Sequence, residues 1–175
     1  MRVATLLLMM VMAVSCKKYQ DPPPYADPRL TNPYCNIPAA LNYNWGFPGV
    51  PDNSICIYPS TVFSGSYFYR DSLYNEAGEV ISTDSFPITI TVVDTSKVNI
   101  VGFCGTNVLK ASADKYYKLR LDSTFLQGQH LCDLTDTITG LGSKKGFEDT
   151  ATIKFTYQLN ESSGISYHSG TAVKQ

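Results

Sequence analysis

The sequence predicts an all-β protein, an antiparallel barrel of about eight to ten short strands, with a β-sandwich as the alternative. Three observations carry that prediction. The chain is rich in strand-forming aromatics, with 12 Tyr and 8 Phe, whose rings suit a pleated, half-buried surface. After the first sixteen residues no amphipathic helical period is found. In its place stand runs of strict apolar–polar alternation, the pattern of strands with one buried face. A formal net charge of −1 and 17% charged residues exclude a broad basic face for nucleic acid, which needs clustered Lys and Arg.

Residues 1–15 read as a signal peptide. Arg2 precedes an apolar run from Val3 to Val14, shorter than the roughly 20 residues that a spanning helix needs. Ala13-Val14-Ser15-Cys16 resembles the lipobox of bacterial lipoproteins, which implies that Cys16 is the acylated N-terminus of the mature chain. Each buried methylene contributes about 0.8 kcal/mol, so two or three acyl chains hold a domain stably at a membrane. The resemblance implies an outer-membrane lipoprotein of a Gram-negative cell envelope. Residues 16–34 carry Pro22-Pro23-Pro24, Pro28 and Pro33 without apolar periodicity and read as a lipidated tether. Proline-rich chain rises about 3.1 Å per residue, so this one reaches roughly 50 Å.

Residues 35–58 resemble a cysteine-bounded cassette of bacterial surface proteins, Cys-x-x-Pro-x-Ala-x-Asn-Tyr-Asn followed by Asp-x-Ser-x-Cys-x-Tyr. Cys35, Pro38, Ala40, Asn42, Tyr43, Asn44, Asp52, Ser54, Cys56 and Tyr58 fall on that pattern, with Trp45-Gly46-Phe47-Pro48-Gly49 inserted. Asn and Asp here suit turn capping better than calcium, because the acidic alternation of a calcium loop is missing. An exported chain keeps cysteines in an oxidising compartment. Cys35, Cys56, Cys104 and Cys132 therefore form two disulfides, for which three connectivities exist. The cassette resemblance implies Cys35 with Cys56, leaving Cys104 with Cys132.

Residues 60–175 read as a succession of strands. Phe63 to Tyr74 is the first, and Asn75-Glu76-Ala77-Gly78 turns it into Glu79 to Thr83. Phe86, Ile88, Ile90 and Val92 alternate with Thr89 and Thr91, and Asp94 to Lys97 turns the chain into Val98 to Phe103. Tyr117, Leu119 and Leu121 form one apolar row. Ala151, Ile153, Phe155, Tyr157 and Leu159 form the clearest one, and Ile165 to Val173 closes the domain. This order is similar to the lipocalin-like, or calycin-like, barrels of small bacterial surface lipoproteins. Gly65 and Tyr67 match the Gly-x-Tyr of the first strand, and Gly140-x-Gly142 the glycine-bearing bend before the penultimate strand. The inward set is expected to fill the barrel, because Ile88, Ile90, Val92, Val98, Ile100, Leu119, Leu121, Ile153, Phe155 and Tyr157 are nearly all large.

The chemistry-bearing residues point away from catalysis. His130 and His168 are the two histidines, and their spacing suggests neither zinc nor a Ser-His-Asp arrangement, so each is expected to cap a strand end or face water. Asp133 with Asp136, and Glu148 with Asp149, read as solvated turn acids. No enzyme, metal or cofactor is expected. Exposed aromatics stack on sugars or hold apolar partners, which makes Trp45, Tyr67, Tyr69 and Tyr117 the candidate ligand contacts. Two functions follow: a monomeric, non-enzymatic envelope lipoprotein acting as a structural or protein-interaction module, or a binding protein for a small apolar ligand or glycan. Beyond the membrane, the expected partner is an envelope protein or glycan.

Overall fold

A computed structural model describes residues 21, 25–122, 128–132, 135–146 and 151–175. Residues 1–15, read as a signal peptide, lie outside the described residues with Cys16 and most of the proline-rich segment.

The N-terminal module is small. Strands β1 (Pro33–Tyr34) and β2 (Val50–Pro51) pair in parallel, and a short 3-10 turn, Pro28–Thr31, precedes them with the Asp27 side chain as its cap. Residues 32–34, expected to be tether, thus join the cassette: β1 pairs with β2 and Val50 N donates to Asn32 O. Cys35 and Cys56 are bonded, with Cα atoms 5.0 Å apart. Buried Asn42 clamps the module: its Nδ2 donates to Ile55 O at 2.8 Å, and its Oδ1 accepts from Ile57 N at 2.8 Å. Asp52 Oδ1 accepts from Ser54 N, and Asn53 Oδ1 from Asn36 N. These side chains serve the backbone, the turn chemistry expected of them.

Helix α1 (Pro59–Phe63) leads into the main sheet. Its strands are β3 (Gly65–Tyr74), β4 (Val80–Val92), β5 (Lys97–Gly102), β6 (Gly105–Ala113), β7 (Lys118–Leu121), β8 (Gln129–His130), β9 (Thr137–Ser143), β10 (Thr152–Glu161) and β11 (Gly164–Lys174). Each long strand pairs antiparallel with its chain neighbour, β7 with β9, and the first pairs with the last, β3 with β11. This is a closed, up-and-down barrel of eight strands with β8 added beside β9. Closure excludes the sandwich and leaves the eight strands no open edge. The end with α1 is called the lower end here, and the end with the hairpins at 75–79, 102–105 and 161–164 the upper end.

Alternation decides what fills the barrel. Tyr67 and Tyr69 of β3, Ile88 and Ile90 of β4, Val98 and Ile100 of β5, and Ile153 and Phe155 of β10 are nearly inaccessible. The expected inward set holds except for Val92, which is 44% exposed because β4 ends there at the lower rim. Gly140 and Gly142 stand inside β9, not at a bend. A Cβ on Gly142 would sit 2.9 Å from Cε1 of Phe155, so this glycine makes room for that ring, while Gly140 lets the backbone of β10 at Thr156 and Tyr157 come close. Phe63 belongs to α1 rather than to the first strand, and there it plugs the lower end.

The wall has one patched place. Where the short β7 ends, buried Gln129 bridges to β6, its Nε2 donating to Lys110 O at 2.7 Å and its Oε1 accepting from Lys110 N at 2.9 Å. The Cys104–Cys132 disulfide and bonds from Asn107 Nδ2 to Leu131 O and Cys132 O tie the same flap to the β5–β6 hairpin.

Candidate functional site

The most concentrated chemistry among the described residues lies inside the upper end of the barrel. Period-two alternation on β3 runs Tyr67, Tyr69, Asp71, so a carboxylate follows two rings onto the buried face. On β11 the same alternation places Ser166, His168, Gly170 and Ala172 inward. Register then brings distant residues together, because β11 lies between β3 and β10 and Tyr157 is paired with His168.

Asp71 is the hub. Its Oδ1 accepts from the Tyr69 hydroxyl at 2.9 Å, and its Oδ2 accepts from the Tyr157 hydroxyl at 2.8 Å and lies 2.6 Å from His168 Nδ1. The His168 ring stacks on Tyr157 at 4.7 Å, and its Nε2 lies 3.1 Å from Ser166 Oγ. Burial alone would raise the Asp71 carboxyl, but the bonds from His168, Tyr157 and Tyr69 outweigh it and hold the group below its ordinary value. An ionised carboxylate only accepts, so Nδ1 of His168 carries the proton. Burial first, and then the Asp71 charge, raises the hydroxyl pKa of Tyr69, while burial with Tyr69 and Asp71 beside it raises that of Tyr157. Both stay neutral donors.

Phe103 closes this end. It comes from the tip of the β5–β6 hairpin and packs 5.5 Å from Tyr69 and from Tyr157, 5.7 Å from Phe86 and 5.9 Å from Phe155. The pairs with Tyr157, Phe86 and Phe155 meet edge-to-face, a favourable geometry, and that with Tyr69 is tilted. The cluster is therefore roofed by aromatics and satisfied from within.

The structure does not bring the four candidate ligand contacts together. Trp45 is exposed in the N-terminal module, near Phe47, whose ring meets Tyr34 edge-on. Tyr67 is wholly buried at the lower end, where its hydroxyl donates to Phe63 O at 2.9 Å and accepts from Lys144 Nζ at 3.2 Å. Burial pushes its pKa up to about 12. Tyr69 belongs to the upper cluster, and Tyr117 is half-buried in the β6–β7 turn at φ 60°.

Sequence reasoning missed Asp71 and the role of His168, which was expected to face water or cap a strand. It is partly buried and partnered across the β3–β11 seam, because β11 completes the wall beside β3. Extending the Tyr67-x-Tyr69 alternation by one step would have exposed the buried carboxylate. His130 is half-buried in β8, and Asp133, Glu148 and Asp149 lie outside the described residues. A scan against protein-family models finds no match for this chain, and a search of curated proteins finds no significant relative.

Proposed function

We propose that the protein is a non-enzymatic cell-envelope lipoprotein, anchored through acyl chains on Cys16, whose barrel is a rigid scaffold that works through its outside. One observation supports this above the others: large side chains from both ends occupy the interior, so Phe63, Tyr67, Tyr69, Phe103 and Phe155 stand where a carrier would hold ligand. A pocket for an apolar ligand needs room as well as a few orienting groups. Here the orienting groups bind one another. The test is Cys16→Ser with metabolic palmitate labelling and fractionation, beside a thermal-shift screen of fatty acids, haem and oligosaccharides. The reading expects loss of label and of membrane retention, with no apolar ligand raising the midpoint. Label retained on the Ser variant, or a fatty acid that raises the midpoint, overturns it.

A second reading rests on Ser166, His168 and Asp71 standing in the order of nucleophile, base and orienting acid. In it Ser166 Oγ attacks an ester carbonyl as His168 Nε2 takes its proton, and His168 returns that proton to the leaving alcohol as the ester C–O bond breaks to give an acyl-serine, which water then hydrolyses. A fluorophosphonate probe that labels the wild type and not Ser166→Ala would favour this reading. No labelling leaves the cluster a structural lock.

A further inference from the structure

We propose that the outer face of the barrel from β7 round to β4 binds an acidic polysaccharide, a linear glycan whose carboxylates or phosphates recur along the chain. The inference rests on the surface-scaffold reading above and names the partner for that surface.

Register defines the face. One row across the strands reads Lys118, Ser143, Lys154, Thr171, Arg70, Ser85, each paired with the next. Leu119, Gly142, Ile153, Ala172 and Tyr69 beside them are buried, so alternation turns these positions outward, with Ser85 at the end of the row beside exposed Asp84. Cations thus stand on every second strand, with a hydroxyl between them. Strands lie about 4.8 Å apart, which spaces the cations at about 10 Å around the hoop. The next row, two residues toward the upper end, begins at Arg120 and continues through Leu141, Thr156, Ser169, Ser72 and Thr83. Neither row contains a carboxylate, in a chain with 15 acidic residues against 14 basic ones.

The four cations are exposed, and none makes an ion pair or a side-chain hydrogen bond among the described residues. Lys97, off this face on β5, differs: it is held by Asp122 at 3.1 Å and by Ser112. Like charges left unpaired on one surface repel, and an anion laid across them relieves that repulsion. At the β7 edge the row deepens into a groove of about 490 Å³ lined by Lys118, Arg120, Leu141 and Lys154. That is room for one or two sugar units. Asp114 is the carboxylate on its rim, and its Oδ1 is occupied by the backbone N–H groups of Tyr116 and Lys118. Arg120 offers a planar fork for one oxyanion, the lysines offer point charges, and exposed Leu141 offers an apolar patch for a sugar face.

The partner class follows from density and shape. Cations about 10 Å apart are far sparser than the charge of double-stranded DNA, one per roughly 1.7 Å of axis. A barrel wall is convex, so a flat bilayer would touch only a strip of it, whereas a flexible polymer can follow the hoop. The intervening Ser and Thr hydroxyls suit sugar hydroxyls.

The full chain, in non-ionic detergent, would be titrated by calorimetry with polygalacturonate, neutral dextran, oligodeoxythymidylate and soluble dihexanoyl phosphatidylglycerol. The expected result is binding of polygalacturonate alone, weakened about tenfold by Arg70→Ala with Lys154→Ala, about tenfold by Lys118→Ala with Arg120→Ala, and less than about twofold by Lys97→Ala. These side chains are exposed, so an unchanged circular dichroism spectrum will separate lost binding from lost folding. Failure of polygalacturonate to bind, equal loss with Lys97→Ala, or preference for the oligonucleotide or lipid overturns the proposal. The scaffold reading survives that failure. It falls instead if Cys16→Ser keeps its palmitate label or if a fatty acid raises the unfolding midpoint of the wild type.

Discussion

The two ends of the barrel are sealed by opposite charges. At the lower end Phe63 of α1 plugs the opening, and Lys144, buried, lies over the rings of Phe63 and Tyr67 at 5.9 and 5.3 Å while donating to the Tyr67 hydroxyl. At the upper end a carboxylate gathers two phenols and an imidazole under Phe103. The difference lies in what each charge would leave behind. Lys144 has a long apolar stem and sits against ring faces, which a hydrophobic side chain could also cover. Asp71 is a short acceptor at the centre of three donors, and without it those donors are buried unpaired. The upper seal should therefore be the brittle one.

Three substitutions sharpen or break that contrast. Phe155→Ala removes the floor beneath the upper seal, because the ring is fully buried and touches Tyr69 and Phe103. It should lower stability by about 3–5 kcal/mol through lost burial and an unfilled cavity. Chemical denaturation will measure it, and a loss under about 1 kcal/mol would mean that the ring borders empty space.

Asp71→Asn comes next, at about 3 kcal/mol, since an amide presents N–H groups where the tyrosines need an acceptor. Acid titration tests the same point by another route. The folded carboxyl sits below its ordinary value of about 3.9, so its stabilisation is complete above that pH and is lost as pH falls through the lower folded value. The difference in midpoint between wild type and Asp71→Asn should shrink from about pH 6 to pH 2. A constant difference would show that the charge plays no part.

Lys144→Met should cost less than Asp71→Asn, about 2 kcal/mol or less, because Met keeps the apolar stem against Phe63 and Tyr67 and the Tyr67 hydroxyl keeps Phe63 O as its acceptor. A loss as large as that of Asp71→Asn would remove the asymmetry between the ends.

The same asymmetry explains what could be read from the chain. The wall was legible where alternation is local and the residues are large. Ile153, Phe155 and Tyr157 mark β10 unaided, and the turns at Asn75–Gly78 and Asp94–Lys97 carry their own chemistry. Strand β6 was not, because its inward Ala111 and Ala113 are small and its outward Val108 is apolar, which blurs the period. Phe103 reads as the end of a strand, but the turn at Gly102, at φ 121°, swings it over the barrel mouth. The Asp71–His168 pair spans 97 positions, and no local pattern encodes a partner that far away. The Cys35–Cys56 pairing came from a motif, whereas the Gln129 bridge to β6 depends on β7 being short.

The pairing of β3 with β11 has a consequence for how such a chain is made. Tyr67 lies opposite Lys174, and Gln175 N donates to Ser66 O, so the seam joins the first strand to the last residues of the sequence. Every other pairing in the wall joins strands close in the chain; this one waits for β11. Closing so long a loop is the slowest kind of contact to make. The barrel therefore locks last, when β11 meets β3, and a chain held open until β11 arrives cannot seal its wall earlier.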